Sequence, residues 1–168
     1  MDVREHVIVC GVDGSGTGHR ALAWAMEEAR LRGCRLRAVT AWTWNGIDDL
    51  GGQSNAKDAR SHAEIVQRRA LVAAMDTLES APEIERRLVE GQPSVALFMA
   101  SLDAEMLVLG GCAHSSFHDA VMGSTAQRAI RHAPCPVVVV PGQQGEHGRR
   151  RARHRRRATD PPTPAPLF

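Results

Sequence analysis

Three apolar runs constrain this chain more than anything else in it: VIVCGV at residues 7–12, MLVLG at 106–110 and VVVV at 137–140. None alternates apolar with polar residues, so each reads as a strand buried on both faces, as in a parallel sheet covered by helices on either side. Between Met106 and Pro141 the order is a short strand, a glycine-bearing loop, a glycine directly before a helix, and the four-valine strand. In an open α/β sheet ligands settle beyond the carboxyl ends of the strands, which places a candidate site in the loop after Leu109. The helix opened by Gly123-Ser124 adds free N–H groups and the positive end of a dipole, which favour an anion such as phosphate.

Taken in order, the first strand, Val7 to Val12, runs into GVDGSGTG. The spacing of Gly14, Gly16 and Gly18 is not G-x-G-x-x-G, and no G-K-[ST] is present, so neither a dinucleotide fingerprint nor a P-loop is read here. A helix follows with Ala21, Leu22, Trp24, Ala25 and Ala29 on one face and Gly33 as its stop. The second strand, Leu36 to Trp42, leads into a polar surface loop, WNGIDDLGGQSN. A long helix, roughly 59–78, carries Ala63, Val66, Ala70, Ala74 and Leu78 at three- and four-residue steps. The third strand, Ile84 to Val89, has polar residues between its apolar ones and suits an edge. Pro93 then opens a helix expected to face Val95, Leu97, Phe98 and Leu102 inward. Ser124-Thr125-Ala126-Gln127 has the form of a capping box. The succession βαβαβαβαβ is that of a five-stranded α/β sandwich.

Gly110, two residues, position 113, nine residues, Gly123 and Ser124 resemble the nucleotide loop of the universal stress protein family, which has Gly at all three glycine positions followed by Ser or Thr. The flanks VLGG and HAPCPVVVVP, the opening HVIVCGVDGS and the RLRAVTAW strand resemble the same family, so the likeness covers about residues 5–141. It implies an open five-stranded parallel sheet, Rossmann-like in the adenine nucleotide alpha hydrolase-like manner, with strand order 3-2-1-4-5. That order sets the loop after Val12 beside the loop after Leu109. The resemblance further implies ATP or another adenine nucleotide as ligand, with Mg²⁺ at its phosphates. Val12 and Asp13 would lie by the adenosine end, and Ala41 would contribute backbone beside adenine. Leu109 and Gly110 would approach ribose and phosphate, with Ala113, Gly123, Ser124 and Thr125 around the phosphates. Position 113 is Ala where the ATP-binding members have Gly. Read locally, Asp13 is equally an Asx turn or helix cap, and Gly110 also serves as a tight strand exit.

Val137, Val138, Val139 and Val140 would form an edge strand without charge or lysine, and such an edge calls for a partner. The resemblance names that partner as a second copy of the chain. The 168 residues suffice for one domain with a sizeable core. We assign residues 1–142 to it and 143–168 to a tail poor in apolar side chains, expected to be disordered. Seven of the 21 basic residues are arginines between Arg149 and Arg157, and only Glu146 and Asp160 of the 19 acids lie beyond residue 145. The domain is therefore mildly acidic and the tail strongly basic, a candidate contact for a polyanion.

Cys10, Cys34, Cys112 and Cys135 form no C-x-x-C pair and read as reduced thiols. Without an apolar leader or a run of about 18 apolar residues, the expected location is the cytoplasm, with no membrane contact. His114 and His118 are four apart with no third ligand, so no metal site is read from the sequence. Lys57 is the only lysine and no acid pair converges on the loop, so the chain is expected to bind rather than catalyse. The function expected is a dimeric, nucleotide-binding stress regulator; the alternative is a dimeric scaffold of the same family without the ligand.

Overall fold

The computed structural model describes residues 6–44, 55–111 and 122–142. Its elements are β1 (Val7–Gly11), α1 (Gly16–Arg32), β2 (Arg35–Trp42), α2 (Ala56–Met75), β3 (Ile84–Glu90), α3 (Pro93–Ala100), β4 (Met106–Gly110), α4 (Ser124–His132) and β5 (Val137–Val140). All neighbouring strands pair in parallel, in the order β3-β2-β1-β4-β5. The expected fold class and strand order hold. The chain direction reverses its progress across the sheet between β1 and β4, which makes their carboxyl ends the switch point.

Alternate residues of the central strands feed two separate cores. Ile8 and Cys10 of β1 with Met106 and Val108 of β4 pack under α1 and α2, against Leu22, Met26, Ala70 and Leu71. Val7, Val9, Leu107 and Leu109 point the other way, towards Ala96, Leu97 and Ala100 of α3 and Ala126 of α4. Apolar side chains on both faces are what made these runs continuous in the sequence. Burial pushes the Cys10 thiol up to about 12, with Asp13 adding to the effect, so this cysteine stays protonated as a core residue.

Helix α1 is capped at its start by Ser15, whose hydroxyl accepts from Gly18 N, and closed by Gly33 in the left-handed region at φ 66°. Its buried stripe is Ala21, Leu22, Ala25, Met26 and Ala29, and Trp24 lies outside it, 38% exposed. Small alanines bring the helix close to the sheet and leave no room there for an indole. The expected inward face of α3 is corrected in the same way. Ala96, Leu97 and Ala100 are buried, whereas Val95, Phe98 and Leu102 are exposed. Val95 and Phe98 instead line an open pocket of about 200 Å³ between α3 and α4, with Leu107, Arg128, Ala129 and His132 among its other walls.

Two buried polar side chains tie the layers together. Arg37 of β2, 2% exposed, donates to Glu85 Oε2 at 2.8 Å, to the Ala100 carbonyl at 2.8 Å and to Asp103 Oδ1 at 2.6 Å. Gln67 of α2, fully buried, donates to the Ala38 and Arg87 carbonyls and to Thr40 Oγ1, and accepts from Arg86 Nε. Both side chains are thereby matched, without which their burial would be costly. No helix among the described residues is long and apolar enough to cross a membrane.

Candidate functional site

At the carboxyl end of the sheet the chain comes together by backbone contact. A Cβ on Gly110 would lie 2.8 Å from Gly18 N, 2.8 Å from Thr17 C and 2.9 Å from Thr17 O. Such distances leave no space for a side chain, so the end of β4 and the first turn of α1 interlock only because residue 110 is glycine. At the adjacent Gly18 a Cβ would meet side chains instead, Asp13 Oδ1 at 2.3 Å and Ser15 Oγ at 3.0 Å, so a side chain there would displace the Asp13–Ser15 turn. Asp13, Gly18 and Gly110 thus converge at the switch point, in keeping with the strand order that the family resemblance implied. Thr17 was not singled out, and Gly18 was weighed only as part of a dinucleotide fingerprint that its spacing excludes.

Asp13 has a defined local role. Its Oδ1 accepts from Ser15 N at 2.9 Å and from Ser15 Oγ at 2.7 Å, an Asx turn that orients the Ser15 cap. Gly14 follows at φ 76°, with a Cβ position only 2.7 Å from Val66 Cγ1 of α2, so this glycine too is required by both conformation and space. Val12 is buried just past β1. Its N–H donates to the Val39 carbonyl at 2.8 Å and its carbonyl accepts from Thr40 Oγ1 at 2.9 Å. Thr40, missed in the sequence, is held in turn by Gln67. Ala41 sits half-buried near the end of β2, opposite Val89 of β3, one strand away from the β1–β4 junction.

Leu109 is buried, and after Gly110 the Gly111 N–H donates to the Val140 carbonyl at 2.8 Å, continuing the ladder to β5. Ala113 lies outside the described residues, as do Cys112, His114, His118 and the arginine run. The far side of the loop is the start of α4. Here the capping box does not form: Gly123 is the N-cap with φ −58° and ψ 152°, and no side-chain hydrogen bond caps the helix. Ser124 is the first helical residue and exposed, and Gln127 Nε2 donates to the Met122 carbonyl at 2.8 Å instead of returning to the helix start. A helix beginning on glycine without a side-chain cap presents its N–H groups to whatever lies before it. Thr125, half-buried in that same first turn, adds a hydroxyl.

The region from residue 5 to 141 matches the family model described as the universal stress protein family. The chain belongs to that family. A universal stress protein of Thermus aquaticus is 30% identical over 139 residues, covering 79% of this chain and 96% of the relative. One from Mycobacterium tuberculosis is 33% identical over 138 residues, covering 79% of this chain but 47% of the relative. The chain thus spans about half the length of the mycobacterial proteins it matches. Among solved structures, a universal stress protein in complex with cAMP is 26% identical with a TM-score of 0.64, covering 80% of this chain and 96% of that one. A universal stress protein from Lactobacillus plantarum, 23% identical with a TM-score of 0.65, shares the fold over 83% of this chain and 99% of its own.

Proposed function

We propose that this universal stress protein binds ATP or another adenine nucleotide at the carboxyl ends of β1 and β4, with Mg²⁺ accompanying the phosphates, and acts as a homodimeric regulator in the cytoplasm rather than as an enzyme. The observation that carries the reading is the pairing of the Asp13–Gly18–Gly110 junction with a helix that begins on Gly123 without a side-chain cap. The Gly110 interlock sets the ends of β1 and β4 side by side, and the helix end supplies positive potential. Val12, Asp13 and Ala41 would border the nucleoside, while Leu109, Gly110, Ala113, Gly123, Ser124 and Thr125 would border the phosphates. The similar structure in complex with cAMP supports an adenine nucleotide as the ligand class.

Calorimetric titration of the full chain with ATP and Mg²⁺ tests this. Binding in the micromolar range or tighter, abolished by Gly123→Val, is the expected result; no binding by the unaltered protein overturns it. That outcome would favour a scaffold without nucleotide, the reading that Ala at position 113 supports. Dimerisation is assigned to β5, whose four valines are only half-buried at one edge of the sheet. A charge at Val138 or Val139 should give a monomer in sedimentation, and a dimer that survives uses another surface. The Arg149–Arg157 run would add polyanion binding that weakens steeply with salt.

A further inference from the structure

The opposite, amino end of the sheet holds a cluster that the nucleotide reading does not use. His6 precedes β1, Cys34 precedes β2 and Glu105 precedes β4, and β1, β2 and β4 are neighbouring strands. His6 Nδ1 is hydrogen-bonded to Glu105 Oε1, and Cys34 Sγ donates to Glu105 Oε2 at 3.6 Å. The candidate ligand atoms of all three residues lie within 4.8 Å of one another. The backbone fixes this convergence: the His6 carbonyl accepts from Arg35 N at 2.8 Å, and Glu105 N donates to the Val7 carbonyl at 2.9 Å. Cys34 N is anchored on the Ala29 carbonyl at 2.9 Å.

We propose that His6, Cys34 and Glu105 form a binding site for a divalent transition-metal ion of the zinc class, with its fourth position open to solvent. The donor set decides the class. A thiolate beside an imidazole suits zinc and its softer neighbours, whereas Ca²⁺ and Mg²⁺ take oxygen ligands. Thiolate and carboxylate together cancel a 2+ charge, and the thiol proton leaves to solvent as the sulfur–metal bond forms. Bond lengths of about 2.0–2.3 Å set tetrahedral ligand atoms about 3.5 Å apart, so the Cys34–Glu105 spacing of 3.6 Å already suits an ion, whereas the His6–Glu105 hydrogen bond must open to admit one. His6, exposed at the mouth, has the freedom to do this, while Cys34, 5% exposed, forms the floor. Arg32, whose charge reaches both Cys34 and Glu105, is itself held by Glu28 at 2.5 Å on the preceding turn of α1.

The test is a titration of the full chain, stripped with chelator, with Co²⁺ alone. A thiolate-to-cobalt charge-transfer band and visible d–d absorption, saturating near one equivalent and displaced by Zn²⁺, are expected. Cys34→Ser should abolish the charge-transfer band, and His6→Gln and Glu105→Gln should weaken binding at least about tenfold. No such band in the unaltered protein overturns the proposal, as does a band of unchanged affinity in Cys34→Ser. If circular dichroism shows that Cys34→Ser does not fold, His6→Gln carries the test, and unchanged Co²⁺ affinity in that variant overturns the site.

Discussion

The two ends of the sheet are joined by different means. At the carboxyl end the joints are made by glycines and backbone: Gly110 lies on the backbone of Thr17 and Gly18, Gly14 lies under the Val66 side chain, and the Val12 N–H reaches the Val39 carbonyl. At the amino end charged side chains add to the backbone ladder, with Arg37 gripping Glu85 and Asp103, Arg35 facing Glu83 at 3.9 Å, and His6 bonded to Glu105. A backbone joint depends on the absence of side chains and is set by close packing. A side-chain joint concentrates charge and potential metal ligands. One fold therefore offers two chemically unlike poles.

The sharpest way to break this contrast is Arg37→Ala. Removing the buried guanidinium leaves Glu85 and Asp103 without their shared cation, and a loss of about 3 kcal/mol is expected in urea unfolding. A loss below about 1 kcal/mol would mean that the amino end is not held by these pairs. At the other pole, Gly110→Ala should cost about 1–3 kcal/mol by forcing β4 and α1 apart, and should also weaken nucleotide binding in calorimetry. Equal stability would show that the interlock relaxes freely. Ala113→Gly should improve nucleotide affinity by about 1 kcal/mol, roughly fivefold, if the loop needs a left-handed residue there; unchanged affinity removes that requirement.

The smallest effect concerns acid. The hydrogen bond from Arg37 holds the Asp103 carboxyl below the usual carboxylate range. Its contribution is therefore complete above the ordinary aspartate pKa near 4, and is lost as pH falls through the lowered value. Asp103→Asn should flatten the acid limb of stability by less than about 1 kcal/mol, because the carboxylate is half exposed. Urea midpoints measured between neutral pH and the acid transition check this, and an unchanged slope would assign the acid limb to other groups.

At the carboxyl pole the strands and the glycines were legible in the sequence, but the partners that require those glycines were not, since Gly110 answers to Thr17 and Gly18 on another element. Glycines at 110 and 123 and the apolar runs beside them announce themselves by spacing, and continuous apolar strands announce a sheet covered on both faces. The strand order was not in the spacing; it came with the family resemblance. Side-chain direction was less legible. Trp24, Val95, Phe98 and Leu102 were expected inside because they are apolar at helical steps, yet each helix buries its narrow alanine-bearing stripe and turns its bulk outward. Ser124 was read as a cap from a pattern that Gly123 pre-empts by one residue. Gln67 and the His6, Cys34 and Glu105 group carry no local signal at all. Their partners lie on other elements, and only the sheet brings them together.

Helix α1 starts against Gly110 and ends, through the left-handed turn of Gly33, at Cys34. Its 17 residues make a strut of about 25 Å with one foot in each pole. Since the upper foot rests on backbone with no compressible side chain between, a ligand that shifts the end of β4 must either carry this strut with it or bend it. The anchor of Cys34 on the Ala29 carbonyl means that both poles rest on a single element.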